Sequence, residues 1–213
     1  MASNVFINEI HYDNAGTDSG EFVEIAGLAG TDVTGWTVVL YNGSPSNRGT
    51  YSTQTLSGVI PDQQDGFGTI SIAYPSNGIQ NGNTAGTEPD GVALVDAAGN
   101  VVQFLSWEGS FVASNGPAAG MTSVDVGVLE SGSENGTSIG LVGTGDSVDD
   151  FSWALIANAT AGDANAGQSF GGGDPEPQPG ALSIADASIV EGDSDAQEIV
   201  FTVSRSGGSA GAV

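Results

Sequence analysis

Glu9 and His11 stand two residues apart in the run Phe6-Ile7-Asn8-Glu9-Ile10-His11-Tyr12. On a strand, residues i and i+2 share a face, so the two form a Glu-His pair of the type that moves protons. His11 is the sole histidine, so any imidazole base is this one. The alternative is a structural histidine hydrogen-bonded within the fold, and no Gly-x-Ser-x-Gly elbow supplies a nucleophile for it. A second group, Asp13, Asn14, Asp18 and Glu21, concentrates oxygen ligands in a loop between two expected strands. Calcium takes six to eight oxygens in irregular geometry, so such a loop is a candidate calcium site, although its spacing is not that of an EF-hand. The same residues also satisfy turn backbones, and a polar hairpin is the competing reading. Glu21 and Glu24 fall on opposite faces of a regular strand, whereas a glycosidase needs two carboxylates across a cleft. Trp36, Trp107 and Trp153 read as core fillers, and an exposed Trp107 beside Glu108 would instead mark a carbohydrate or peptide contact.

Composition narrows the chemistry further. The 213 residues hold 26 Asp+Glu against two cations, Arg48 and Arg205, for a net charge of -24. With no lysine, a Walker-type phosphate loop and a Schiff base both lack their residue. With no cysteine, thiolate catalysis and the usual structural zinc sites are excluded. A surface this acidic repels nucleic acid and anionic lipid, so neither direct nucleic-acid binding nor membrane association is expected. No apolar run reaches the length of a membrane span, and Met1-Ala2-Ser3-Asn4 does not open a conventional signal peptide. Absence of cysteine suits folding outside the cell, so a secreted or cell-surface location, reached by another route, is the expectation.

The elements that must carry these residues are short strands. Glycine makes up 34 of the 213 residues, about twice the usual share, which disfavours helices and supplies hairpin turns. Period-two alternation marks Trp36 to Tyr41, Thr69 to Tyr74 and Phe151 to Ile156, with one face toward a core and one toward water. Further strands are expected at Val5 to Tyr12, Glu21 to Ile25, Thr50 to Ile60, Val92 to Asp96, Val101 to Trp107, Thr122 to Val128 and Ser138 to Val142. Asn-Gly and Asp-Gly pairs such as Asn42-Gly43, Asn77-Gly78 and Asp90-Gly91 punctuate them. Asn42-Gly43-Ser44, Asn135-Gly136-Thr137 and Asn158-Ala159-Thr160 match the N-glycosylation acceptor pattern and are read as turn chemistry. An all-β two-sheet sandwich follows, with a barrel as runner-up. Residues 171–180, Gly-rich and then Pro-alternating, form a linker. Strands at Leu182 to Ile184 and Ile199 to Val203 then flank an acidic turn, too few to close a core of their own.

Phe6-Ile7-Asn8-Glu9-Ile10-His11-Tyr12-Asp13, then Gly20-Glu21-Phe22-Val23-Glu24-Ile25, then Gly35-Trp36 in a strand, resembles the bacterial extracellular branch of the lamin-tail domain family. The similarity extends through Phe151-Ser152-Trp153 to Asn165-Ala166-Gly167-Gln168-Ser169-Phe170. It implies an immunoglobulin-like sandwich over residues 1–170, a binding or architectural module with no catalytic residue of its own. Beyond the linker, Leu182 to Asp186, Ile189-Val190-Glu191-Gly192 and Ile199 to Arg205 resemble the opening strands of a Calx-beta domain. That resemblance implies a truncated second sandwich over 181–213 and makes Glu191 a candidate calcium ligand.

The function expected is therefore a non-catalytic binding, targeting or architectural module of a larger secreted or surface bacterial protein, a monomer with a protein or polysaccharide partner. One alternative is an accessory domain of an extracellular nuclease or phosphatase whose active site lies elsewhere. Another is a calcium-stabilised adhesive or surface-layer module, in which Ca2+ relieves carboxylate repulsion.

Overall fold

The computed structural model describes residues 5–82, 88–130, 136–171, 181–188, 192 and 198–206. It divides into two compact units, Met1–Gly173 and Asp174–Val213. Both are built from strands, and the chain is an all-β sandwich protein. Among the described residues no helix is long and apolar enough to cross a membrane.

The first unit stacks two sheets. Sheet one runs β10(Phe151–Ile156), β9(Ser138–Gly145), β1(Val5–His11), β2(Phe22–Leu28), β5(Phe67–Ala73), with β11(Gln168–Phe170) alongside β9. Sheet two runs β4(Thr50–Thr55), β3(Thr37–Asn42), β6(Asp90–Val95), β7(Val101–Trp107), β8(Val124–Asp125). Period-two alternation turns Val23, Ile25 and Ile139 of sheet one toward Val38, Leu40, Val92, Leu94, Leu105 and Trp107 of sheet two, and these side chains are the main core. β1 joins it on both sides of a bulge between Ile7 and Glu9. The bulge inverts the strand's parity, so that Val5 and Ile7 before it and Ile10 and Tyr12 after it all enter the same core.

The sequence pattern leaves one face of each strand toward water, and the structure corrects this. The outer face of sheet two is also buried: Val39, Tyr41, Ala93, Val95 and Phe104 pack under Phe111, Ala113 and Ala118. Here the chain folds back over its own sheet, and the Tyr41 hydroxyl accepts a hydrogen bond from the Ala118 N–H at 2.9 Å. A Cβ on Gly43 would stand 2.2 Å from the Pro89 carbonyl oxygen and 2.5 Å from the Phe111 ring, so close packing there requires glycine. The outer face of sheet one is covered in turn by residues 160–170. Phe170 packs on Phe6, Ala26, Phe67, Leu141 and Phe151.

Several elements differ from expectation. The Thr50 to Ile60 strand ends at Thr55, and Thr122 to Val128 contributes only Val124–Asp125. β10 does not keep strict alternation: Leu155 is exposed and Ile156 buried. Trp107 is fully buried and stacks on Tyr12 at 4.9 Å, which removes the carbohydrate-contact reading of that ring. In the second unit, β12(Ala181–Ile184) pairs antiparallel with β13(Val203–Ser206), so the expected strand at Ile199 to Val203 starts at its last residue. The expected linker residues 172–180, Asn135 and Glu191 lie outside the described residues.

β1 and β9 pair only at Glu9 with Gly140 and Ile10 with Ile139. Where that ladder stops, the Asn165 side-chain amide takes over, donating to the carbonyls of Asn8 at 3.1 Å and Leu141 at 2.9 Å. Truncating it orphans two buried acceptors, so Asn165→Ala is expected to cost about 1–3 kcal/mol. Thermal unfolding should show this as a Tm lowered by several degrees, and an unchanged Tm would deny the side chain its role.

Candidate functional site

The buried polar residues gather in two places, the outer face of sheet one and the end of sheet two where β3 and β6 meet the loops. On sheet one, Glu9 and Glu24 lie directly opposite each other across β1 and β2. Like charges so placed repel, and both are fully buried. The 160–165 turn resolves the conflict by supplying donors. Glu9 accepts from the Ser138 hydroxyl, the Thr160 N–H at 2.9 Å and the Thr160 hydroxyl at 2.8 Å. Glu24 accepts from the Asn8 amide at 3.0 Å and the Gly162 N–H at 2.5 Å. Burial pushes the Glu24 pKa up to about 8; its donors oppose this and the Glu9 charge adds to it. Gln168 closes the network by donating to the Asn8 side-chain oxygen at 2.7 Å.

His11 shares the outer face with Glu9, as strand parity requires, but the two do not pair. Its partner is Glu130, 119 residues away: His11 Nδ1 and Glu130 Oε1 are 2.5 Å apart. On the other side of the ring, Nε2 lies 3.1 Å from the Ser19 carbonyl oxygen and 3.2 Å from the Asn14 side-chain nitrogen. Burial alone would lower the His11 pKa, but the bond to Glu130 and its charge outweigh it and the net direction is up. Glu130 also accepts from the N–H groups of Tyr12 at 2.7 Å and Asp13 at 3.1 Å, and burial raises its pKa. The pair holds one proton between two buried groups and keeps the end of β1 in place. Spacing along the chain carries no sign of Glu130 as the partner.

The loop of Asp13, Asn14, Asp18 and Glu21 is brought together, but largely through internal bonds. Asp18 Oδ1 accepts from the Asn14 N–H at 2.8 Å. The Asn14 side chain donates to the Ser19 carbonyl at 3.0 Å. Glu21 directs its oxygens at the N–H groups of Ile79 and Gly78, each at 2.9 Å. Among the described residues no group of three or more His, Asp or Glu converges as a metal would need.

At the end of sheet two lies a cavity of about 270 Å³, lined by Asp18, Asn42, Asn77, Asn81, Glu88 and Asp90 among others. Asp90, at the start of β6, is buried and accepts from the Gly43 N–H at 3.2 Å. Burial raises its pKa to about 7, and the charges of Glu108 and Glu88 add to the shift. Glu108 follows β7 and is itself buried, with its pKa raised by burial and by the Asp13 charge while the nearby Tyr12 hydroxyl lowers it. These oxygens suit a cationic or hydrogen-bonding ligand; no nucleophile with an attendant base stands among the lining residues.

The titrations have a definite sign. Glu24, His11 and Glu130 all hold protons more tightly in the folded chain than in the unfolded one. The unfolded chain therefore releases them first as pH rises; the Glu24 contribution, already declining above about pH 4.5, goes on being lost from about pH 6 to about pH 8, and His11 and Glu130 act in the same direction. Ordinary surface carboxylates are already ionised across that window and add no slope. Tm is expected to fall between pH 6 and pH 9, and Glu24→Gln, which fixes the neutral form, should flatten the curve. A rising Tm, or a Glu24→Gln curve parallel to wild type, would contradict this placement of the protons.

Comparison with protein-family models, with curated proteins and with solved structures finds no match for this chain.

Proposed function

We propose that the first unit is a non-catalytic binding, targeting or architectural module, of the lamin-tail-like immunoglobulin type, within a larger secreted or cell-surface protein. One observation carries this reading. The residues that make up the lamin-tail-like motifs, Asn8, Glu9, Glu21, Glu24, Asn165 and Gln168, all direct their polar atoms at the fold's own loops and strands. Residues kept for chemistry would be expected to keep an open side. Glu9 has its donors already, and His11 is 3% exposed and closed between Glu130 and Ser19. The motif is thus accounted for by the need to tie residues 160–170, the turn at Gly78 and Ile79, and Glu130 to sheet one and its ends.

The second unit fits the same reading. Leu182 and Ile184 of β12 and Val203 of β13 are exposed, which supports taking 181–213 as strands of a larger β domain resembling Calx-beta. A protein or polysaccharide partner, met by loops or by the strand edges at β10 and β4, is the partner class this architecture serves.

Activity assays distinguish the module from an enzyme. The purified chain, given phosphodiester and phosphomonoester substrates with divalent metals, is expected to show no turnover above the buffer rate. Turnover that disappears in both Glu9→Gln and His11→Ala would overturn the proposal and place catalysis in the first unit.

A further inference from the structure

A sheet that ends in an open strand leaves a row of main-chain N–H and C=O groups unpaired, and proteins guard such rows with lysine, proline or a bulge. Among the described residues the first unit ends in β10 and β5 on sheet one and in β4 and β8 on sheet two. β8 is only two residues long. β5 is tied up over its first half, where the Thr69 N–H donates to the Gln63 side chain at 2.6 Å and Phe67 exchanges main-chain bonds with Gln64. β4 carries a register shift against β3 at Tyr41, which bends the edge, and its Thr50 N–H is taken by the Asn115 side chain at 2.9 Å.

β10 has none of these guards. It pairs with β9 from Phe151 opposite Gly143 to Ile156 opposite Ser138 without a shift, and among the described residues no strand lies on its other side. Phe151-Ser152-Trp153-Ala154-Leu155-Ile156 holds no charge and no proline, and the chain has no lysine to place there. Ser152 is exposed and Leu155 is 49% exposed, and their parity puts them on opposite faces, so the edge is open on both. Charge decides what kind of strand adds to it. Asp149 and Asp150 are exposed immediately before β10, while residues 157–160 after it carry no charge. A second copy of the chain would bring its own net charge of -24 to this edge, and the two would repel. β4 differs in this respect too, with Arg48 two residues before it.

We propose that β10 is the docking edge for an extended, basic peptide segment of another protein, which adds to sheet one as an antiparallel strand. Main-chain hydrogen bonds supply the affinity, and alternate side chains of the added strand meet Ser152 on one face and Leu155 on the other. Antiparallel pairing is the more stable arrangement per residue, and it sets the C-terminal end of the added strand beside Asp149 and Asp150. The cations of the partner therefore belong at that end. This inference rests on the reading of the first unit as a binding module and names the surface and the chemistry of its partner.

The test titrates the full chain with a synthetic peptide of alternating valine and threonine that ends in lysines, read by fluorescence anisotropy and hydrogen exchange. Two controls carry the same charge: one has its lysines at the N-terminal end, the other has proline in place of its central valine. The first peptide is expected to saturate one site, to bind more weakly as salt rises, and to slow exchange within residues 151–156. Both controls should bind weaker by about tenfold or more, since proline removes a ladder donor and the reversed charge faces no acid. Leu155→Lys and Ser152→Lys, which place a charge on either face of the edge, should each weaken binding by about tenfold or more. Thr53→Lys on β4 changes the net charge equally and should leave binding within about twofold. Both β10 positions are exposed, so a Tm close to wild type shows that the variants fold. Equal binding of the proline peptide would reduce the effect to attraction by the net charge and overturn the proposal. So would equal or tighter binding of the reversed peptide, slowed exchange at β4 in place of β10, or self-association of the chain through β10 without peptide. A chain that shows neither turnover nor peptide uptake keeps the module reading and loses this edge. Turnover that disappears in Glu9→Gln and His11→Ala fails the module reading whatever the peptide does.

Discussion

A chain with 26 acids against two arginines and one histidine has few cations for its buried carboxylates, so beyond the His11–Glu130 pair it satisfies them with backbone N–H groups. Glu9 takes the amide of Thr160, Glu21 those of Gly78 and Ile79, Glu24 that of Gly162, Glu130 those of Tyr12 and Asp13, and Asp90 that of Gly43. Glu9, Glu24 and Asp90 each tie a loop to the strand that carries them, Glu21 does so from the residue before β2, and Glu130 ties its own loop to the end of β1. A carboxylate suits this task because its two oxygens offer about four acceptor positions, enough to hold a turn and a neighbouring side chain together. The cost is desolvation, which is why Glu24 and Asp90 keep their protons to unusually high pH.

This arrangement explains how a sandwich so rich in glycine holds its irregular segments. The loops have little apolar periodicity, yet residues 110–121 and 160–170 cover the outer faces of both sheets. On sheet two the cover is held by Phe111 against Phe104 and Tyr41. On sheet one it is half apolar, through Phe170 stacked on Phe67 at 5.3 Å, and half polar, through Asn165 and Gln168. The polar half is the more specific, because an unmatched donor or acceptor there is penalised where a shifted methyl group would be tolerated.

Strands were legible in the sequence wherever alternation was strong. β3, β5 and β10 lie within two residues of the alternating runs, β1, β6 and β7 within two residues of the further expected strands, and the Ala97-Ala98-Gly99-Asn100 turn joins β6 to β7. Alternation does not reveal what covers an outer face, so Val39 and Tyr41 read as water-facing although they are buried. It also misses β11, whose three residues are too few to show a period. For the candidate site, the shared face of Glu9 and His11 followed from parity alone. Their partners did not: Thr160 and Glu130 are 151 and 119 residues away, and local spacing has no signal for a pairing set by the return path of the chain. The cavity was invisible for the same reason, since Asn42, Asn77, Asn81 and Asp90 come from separate turns and strand ends that only the sheet order assembles.

If buried carboxylates hold the loops, the loop amides they accept from must be as protected as those of the sheets. Native-state hydrogen exchange reads this directly at Thr160, Gly162 and Ile79, with Val23 and Ile25 of β2 as the internal standard. The account predicts that the three loop amides exchange within about tenfold of the strand amides, opening only with the whole first unit. Exchange of Thr160, Gly162 and Ile79 at the rates of an unstructured peptide, while β2 stays protected, would contradict it.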